Sequence, residues 1–161
     1  MSKNAKVTKT NAMRALDAQN IAYTHTAYPC DGFMDGLSVA QAVGKNPETV
    51  FKTLVTVAAS RQNYVFVIPV AAELDLKKAA ASVGEKSIAM LPAKDITATT
   101  GYVKGGCSPV GMKKQFPTVI NASAQSLSEI TVSAGKLGLQ ITLAPQDLAQ
   151  ICAAQFALLT V

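Results

Sequence analysis

Two β-rich runs, Phe51 to Ala59 and Tyr64 to Val70, stand on either side of the polar stretch Ser60-Arg61-Gln62-Asn63. Runs rich in Val, Phe, Thr, Tyr and Ile separated by so short a turn have the spacing of a β-hairpin. Such a hairpin commits the centre of the chain to antiparallel pairing. The segments before and after it must therefore add to a sheet or cover one.

Around it the sequence predicts a helix over Asn11 to Asn20, following cap candidates Thr8 and Thr10, with Met13, Leu16 and Ala12 on one side. A strand over Ile21 to Tyr28, a loop over Pro29 to Gly36 and a short helix from Leu37 to Val43 ended by Gly44 come next. Beyond the hairpin, Leu74 to Val83 reads as a helix burying Leu74, Leu76 and Ala80, and Asp75 sits where it would support the helix N-terminus. A strand over Lys86 to Leu91 and a short helix near Ala93 to Ala98 follow. Thr118 to Asn121, Glu129 to Ser133 and Leu139 to Leu143 read as strands. Pro145 opens a helix running to about Ala154, and Phe156 to Val161 suits an edge strand. Strands outnumber helices and several are sequence neighbours. This predicts an α+β fold on a mixed, largely antiparallel sheet.

The chain has 161 residues, which suits one domain, 1–161, with a sizeable core. No apolar run approaches the roughly 20 residues of a membrane span. The start, Met-Ser-Lys-Asn-Ala-Lys, lacks the apolar stretch of a secretory signal, so a cytoplasmic location is expected. Cys30, Cys107 and Cys152 are odd in number and far apart, without metal-ligand spacing, so neither a zinc site nor a disulfide framework is indicated. The formal charge of +5 permits a polyanionic partner such as RNA. Part of that excess lies in Lys3, Lys6 and Lys9, and part in Lys104, Lys113, Lys114 and Lys136 around glycine-rich turns.

The run Gly101 to Lys114 concentrates glycine and lysine around Pro109. Glycines let the backbone take positive φ and let a ligand approach it closely, so such a loop can aim peptide N–H groups at an oxygen developing negative charge. Cys107 lies inside it, where nearby lysines would lower a thiol pKa and make a nucleophile. Against this stands the lack of an evident general base, since the sole histidine, His25, falls in a predicted strand without an acid partner. Cys107 is therefore read as filling the loop, Cys30 as a loop residue and Cys152 as a helix-packing residue. Neither GxxxxGK[ST] nor GxGxxG is present, which leaves nucleotide hydrolysis and dinucleotide binding without support.

Lys52 interrupts the apolar strand from Val50 to Val57. Alternation puts Lys52, Leu54 and Thr56 on one face and Phe51, Thr53 and Val55 on the other. A lysine there either meets a partner, because a buried unpaired charge is costly, or snorkels from a sheet edge. The pattern leaves both open. Lys77 and Lys78 read as a solvated helix face.

Together, Val50-Phe51-Lys52-Thr53-Leu54-Val55, Leu74-Asp75-Leu76-Lys77-Lys78 and the loop from Thr100 to Lys114 resemble the YbaK family. Val132-Ser133-Ala134-Gly135-Lys136 and Gly138-Leu139-Gln140-Ile141 continue the match in order, over nearly the whole chain. YbaK proteins are free-standing relatives of the editing domain of bacterial prolyl-tRNA synthetases, with a barrel-like mixed sheet. The resemblance implies a trans-editing deacylase that removes cysteine from Cys-tRNA(Pro), and also from Cys-tRNA(Cys), without a cofactor, with prolyl-tRNA synthetase as a partner and no membrane association. It gives Lys52 an orienting and electrostatic role and lays Gly105-Gly106-Cys107-Ser108-Pro109 over the scissile ester. It makes Tyr28, Thr53, Gly105, Gly106, Ser133 and Gln140 substrate contacts. It further implies that the substrate's own thiolate attacks its carbonyl and leaves as a thiolactone, a step that needs orientation more than an added base.

Two positions depart from the family pattern. Asp35 precedes Gly36 where many members have an aromatic residue, and Leu137-Gly138-Leu139-Gln140 stands where many carry Arg-Gly-Leu-Asp. Gln140 accepts a hydrogen bond but cannot neutralise an α-ammonium. Competing readings are a deacylase for alanine or serine, a non-catalytic module binding tRNA or an aminoacyl group, and a hydrolase using Cys107.

Overall fold

The computed structural model describes residues 8–32 and 34–161; Lys3 and Lys6 lie outside them. Helix α1 (Asn11–Ala18) starts where Thr10 accepts a hydrogen bond from Met13 N–H, and its Ala12, Met13 and Leu16 are buried. Strand β1 (Thr24–Ala27) is shorter than expected. Helix α2 (Gly36–Ala42) is capped by Asp35, whose carboxylate accepts from Ser38 N–H. The predicted hairpin forms as β2 (Phe51–Ala58) and β3 (Asn63–Pro69), with Phe51 opposite Pro69 and Val57 opposite Asn63.

Helix α3 (Leu76–Val83) begins at Asp75, whose side chain accepts from the N–H groups of Lys77 and Lys78. That cap rotates Ala79 and Ala80 onto the sheet and leaves Leu76 42% exposed, which corrects the expected burial of Leu76. Strand β4 (Ile88–Met90), a 3-10 turn at Ala93–Asp95, α4 (Ile96–Thr100), β5 (Thr118–Asn121) and a second 3-10 turn at Ala122–Ser126 follow. The chain ends with β6 (Ile130–Lys136), β7 (Leu139–Leu143), α5 (Pro145–Cys152, with its proline in the first turn) and β8 (Gln155–Ala157).

Pairing divides these strands into two sheets, one ordered β1-β7-β6 and one ordered β4-β2-β3-β5-β8. The first is antiparallel throughout. In the second, β3–β5 and β5–β8 are parallel, and β8 lies at the edge. Both the mixed sheet and the edge position of the last strand match expectation. The two sheets meet through an isolated bridge between Val50 and Thr131 rather than closing into a barrel. Strand β2 changes partner along its length, meeting β6 at the adjoining Val50 and β4 from Thr56 to Ala58.

Strand β3 separates the two larger of three buried apolar clusters among the described residues, the smallest being Ala40, Val50 and Val70. Its Val65 and Val67 enter the main core with Met13, Leu16, Phe51, Ile120, Val132, Ile141 and Leu148. Its Phe66 and Ile68 pack on the opposite face with Ala79, Ala80, Val119 and Leu159. A central strand covered on both faces reads as a continuous apolar run, as this one does. The larger core joins the two sheets beneath α1 and α5.

Candidate active site in a gap beside the central hairpin

Hydrogen bonds from Val70 N–H to Val50 O and from Ala58 N–H to Gln62 O fix the hairpin so that even-numbered β2 residues bond to β3. Antiparallel geometry then turns the peptide groups of odd-numbered residues to the other edge. There, Thr131 N–H donates to Thr49 O and Leu91 N–H donates to Val55 O, so β6 covers one end of that edge and β4 the other. Strand β4 pairs with β2 only from Thr56 to Ala58. Around Thr53 the edge therefore has no strand beside it among the described residues.

A cavity of about 360 Å³ occupies this gap. Because it opens on a strand edge, consecutive residues Lys52, Thr53, Leu54 and Val55 all line it, overriding the alternation expected from sequence. Strand β6 contributes Ser133 and β7 contributes Gln140, which pair directly across the hairpin. The loop after α4 contributes Lys104, Gly105 and Cys107. Met34, Val39, Val70, Met90, Leu91 and Ile96 supply an apolar wall. Sequence reasoning missed this wall, since its residues look like ordinary core positions.

The polar groups in the cavity are few and distinctive. Thr53 Oγ1 is buried with no hydrogen-bond partner among the described residues. The Lys52 side chain is half-buried and makes neither an ion pair nor a hydrogen bond with another described residue. Lys52 lies on a strand flanked by β3 and β4 rather than at a sheet edge, and it lines the cavity. Gln140 is 5% exposed, and Ser133 Oγ accepts from Gly135 N–H at 3.1 Å.

The glycine-rich loop is anchored at several points behind the cavity. Tyr102 is buried, donates its hydroxyl to Val110 O at 2.7 Å, and has its ionisation pushed up to about 12, chiefly by burial. Ser108 is buried, with Oγ accepting from Val110 N–H. Pro109 O accepts from the buried thiol of Cys152. Gly105 adopts φ 84°, the left-handed region that favours glycine. Gly106 is pressed against the turn between β6 and β7, and its N–H is consumed within the loop by Val103 O at 3.0 Å. The N–H groups of Gly105 and Cys107 have no acceptor among the described residues.

Of the residues expected to contact substrate, Lys52, Thr53, Gly105, Ser133 and Gln140 thus share one cavity. Tyr28, Gly106, Ser108 and Pro109 are absent from its lining. Tyr28 is buried and donates its N–H to Gly138 O at 2.9 Å, which ties the end of β1 to the β6–β7 turn. His25 is exposed on β1, opposite Ile141, and is likewise absent from the lining.

Cys107 does reach the cavity, but burial pushes its thiol up to about 11, with a smaller opposing contribution from a hydrogen bond to Thr100. The lysines of the loop do not lower it: desolvation of the thiolate dominates, and only the Thr100 hydrogen bond opposes it. At neutral pH this sulfur is a protonated, weakly nucleophilic group. Cys152 belongs to the main core, its thiol pushed to about 12 by the same cause.

The model of the family described as aminoacyl-tRNA editing domain matches residues 35–151. A protein of Enterococcus faecalis, provisionally named Cys-tRNA(Pro)/Cys-tRNA(Cys) deacylase EbsC, is 46% identical over 161 residues, covering 99% of this chain and 98% of its own. A crystal structure provisionally described as a trans-editing enzyme for prolyl tRNA synthetase superposes with a TM-score of 0.81 at 24% identity, covering 94% of this chain and 95% of that one. The crystal structure of hypothetical protein APE2540 superposes with a TM-score of 0.85 at 18% identity, covering 94% and 100%. The editing-domain match spans every cavity-lining residue except Met34, and the chain belongs to the aminoacyl-tRNA editing domain family.

Proposed function

We propose that this chain is a single-domain, cytoplasmic trans-editing deacylase that removes cysteine from Cys-tRNA(Pro), and from Cys-tRNA(Cys). The observation that carries this reading is the convergence of Lys52, Thr53, Gly105, Ser133 and Gln140 on one cavity. The near full-length relation to the E. faecalis protein supports the substrate. Such an activity has a clear physical rationale. Cysteine and proline are similar in size, and a hydrophobic pocket separates such near-isosteres by only a factor of about 10–200.

The scissile bond is the ester between the cysteinyl carbonyl and the terminal ribose of the tRNA. In the proposed reaction the substrate thiolate attacks that carbonyl carbon. A C–S bond forms, the ester C–O bond breaks, and the ribose oxygen takes up a proton, releasing tRNA and a cyclic thiolactone. The side chains need only hold the thiolate against the carbonyl and stabilise the oxygen that gains charge. Lys52 supplies positive charge. The peptide N–H groups of Gly105 and Cys107 are donors for the developing oxyanion, while Thr53, Ser133 and Gln140 orient the cysteinyl group. Tyr28, Gly106, Ser108 and Pro109 act by holding the walls. Lys113, Lys114 and Lys136 are exposed around the same loop and suit the phosphates of a tRNA acceptor end. Prolyl-tRNA synthetase is the partner proposed to deliver the correct tRNA.

Incubating the purified protein with tRNA(Pro) charged with cysteine, alanine or serine tests the reading. Fast loss of cysteine alone is expected. Preferential loss of alanine or serine would reassign the substrate, and salt-dependent tRNA binding without any deacylation would replace the enzyme with a binding module.

A further inference from the structure

The charges lining the cavity are all of one sign. Lys52 and Lys104 line it, and among the described residues no Asp or Glu does. The two nearest candidates in sequence are turned to other work or kept out. Asp35 is exposed and caps α2, and Asp95 lies in the turn before α4 without lining the cavity. Every side-chain acceptor in the lining is neutral: the hydroxyls of Thr53 and Ser133, the amide of Gln140 and the protonated thiol of Cys107.

An aminoacyl ester carries an α-amino group that is a cation when protonated. Within a partly enclosed pocket that cation gains no carboxylate partner and meets the charge of Lys52, so its desolvation is poorly compensated. A neutral nitrogen avoids this cost and can still donate to Thr53 Oγ1 or Gln140 Oε1. A cavity of about 360 Å³ falls within the range that accommodates drug-sized ligands, a size that suits the ester end of the tRNA together with a small acyl group on its nitrogen.

From this charge pattern we infer that the site does not require a free α-ammonium and that N-acylated cysteinyl esters of tRNA are a second class of substrate. The inference rests on the deacylase reading above. The balance of the reaction is unchanged: the thiolate forms the C–S bond, the ester C–O bond breaks, the ribose oxygen gains the proton, and the product is the N-acyl thiolactone. Nothing in the step uses the nitrogen.

The experiment compares single-turnover release from Cys-tRNA(Pro) and from the same tRNA after acetylation of its α-amino group, using the wild-type chain and Gln140→Asp. For the wild type, acetylation is expected to leave the rate within about threefold or to raise it. In Gln140→Asp the new carboxylate should favour the ammonium form, shifting the ratio toward the free-amine substrate on the order of tenfold, as expected when a charged acceptor replaces a neutral one. A wild-type rate on the acetylated substrate more than about thirtyfold below that on Cys-tRNA(Pro) would overturn the inference while leaving the deacylase reading intact. Release from neither substrate would overturn the deacylase reading itself, and the inference with it.

Discussion

Gly106 packs against the peptide joining Lys136 to Leu137, where an added Cβ would lie 2.9 Å from both Lys136 C and Leu137 N. Both obstacles are backbone atoms in the turn of the hairpin that carries Ser133 and Gln140. The loop bearing Gly105 and Cys107 is thereby held at a fixed distance from the opposite wall of the cavity.

Gly106→Ala is expected to push these walls apart. The strain should cost about 1–3 kcal/mol of stability, the usual size of an overpacking defect. Deacylation should fall at least tenfold, because misplacement of the loop degrades the oxyanion donors. Urea denaturation together with single-turnover rates checks this. A variant with unchanged stability and rate would show that the close approach is not needed.

Cys107→Ser and Cys107→Ala should both keep activity within about threefold of the parent. A thiol raised to about 11 is almost wholly protonated at neutral pH, and substrate-assisted attack does not call on it. Iodoacetamide labelling followed by mass spectrometry should find Cys107 slow to react below pH 9. A dead Cys107→Ser variant, or a covalent cysteinyl adduct at this residue, would point to a conventional cysteine hydrolase.

Alkaline pH should destabilise the fold. Burial raises Cys107 from 9.0 to about 11, Cys152 from 9.0 to about 12 and Tyr102 from 10.0 to about 12. In each case the folded state holds its proton more tightly than the unfolded chain. The contribution is therefore fully present below about pH 9 and is lost as pH rises through the folded-state values near 11–12. Urea midpoints measured from pH 7 to 11 should stay level from these groups up to about pH 9 and then fall. Cys152→Val should flatten the alkaline decline, and an unchanged slope in that variant would exclude Cys152 as a contributor.

The hairpin was legible in the sequence because β-rich runs and a polar turn coincide, and Asp75 because a short carboxylate immediately before a helix has one obvious use. Leu76 misled because helical spacing does not say which turn of a helix reaches the sheet; the Asp75 cap starts α3 one turn too early for Leu76 to be covered. Closure into a barrel was not decidable from strand count, since it depends on β2 exchanging β6 for β4 along one edge. That exchange also creates the cavity. Alternation within β2 assigned Lys52 and Thr53 to opposite faces, yet both line a pocket that opens on the strand edge. The family resemblance laid Ser108 and Pro109 over the ester together with Gly105, whereas the fold buries both. Their burial, beside Val110 and Cys152, became visible only with the loop folded.

Deacylation in the cavity beside β2 is proposed to rest on Lys52 as its principal charge. Single-turnover release of cysteine from Cys-tRNA(Pro) by Lys52→Ala, with circular dichroism and urea midpoint recorded on the same preparation, tests it most directly. Loss of one preorganised charge at a reacting centre predicts a fall on the order of 10²–10³ in rate with the fold intact. Full activity in a folded Lys52→Ala protein would show that this charge is not needed for deacylation.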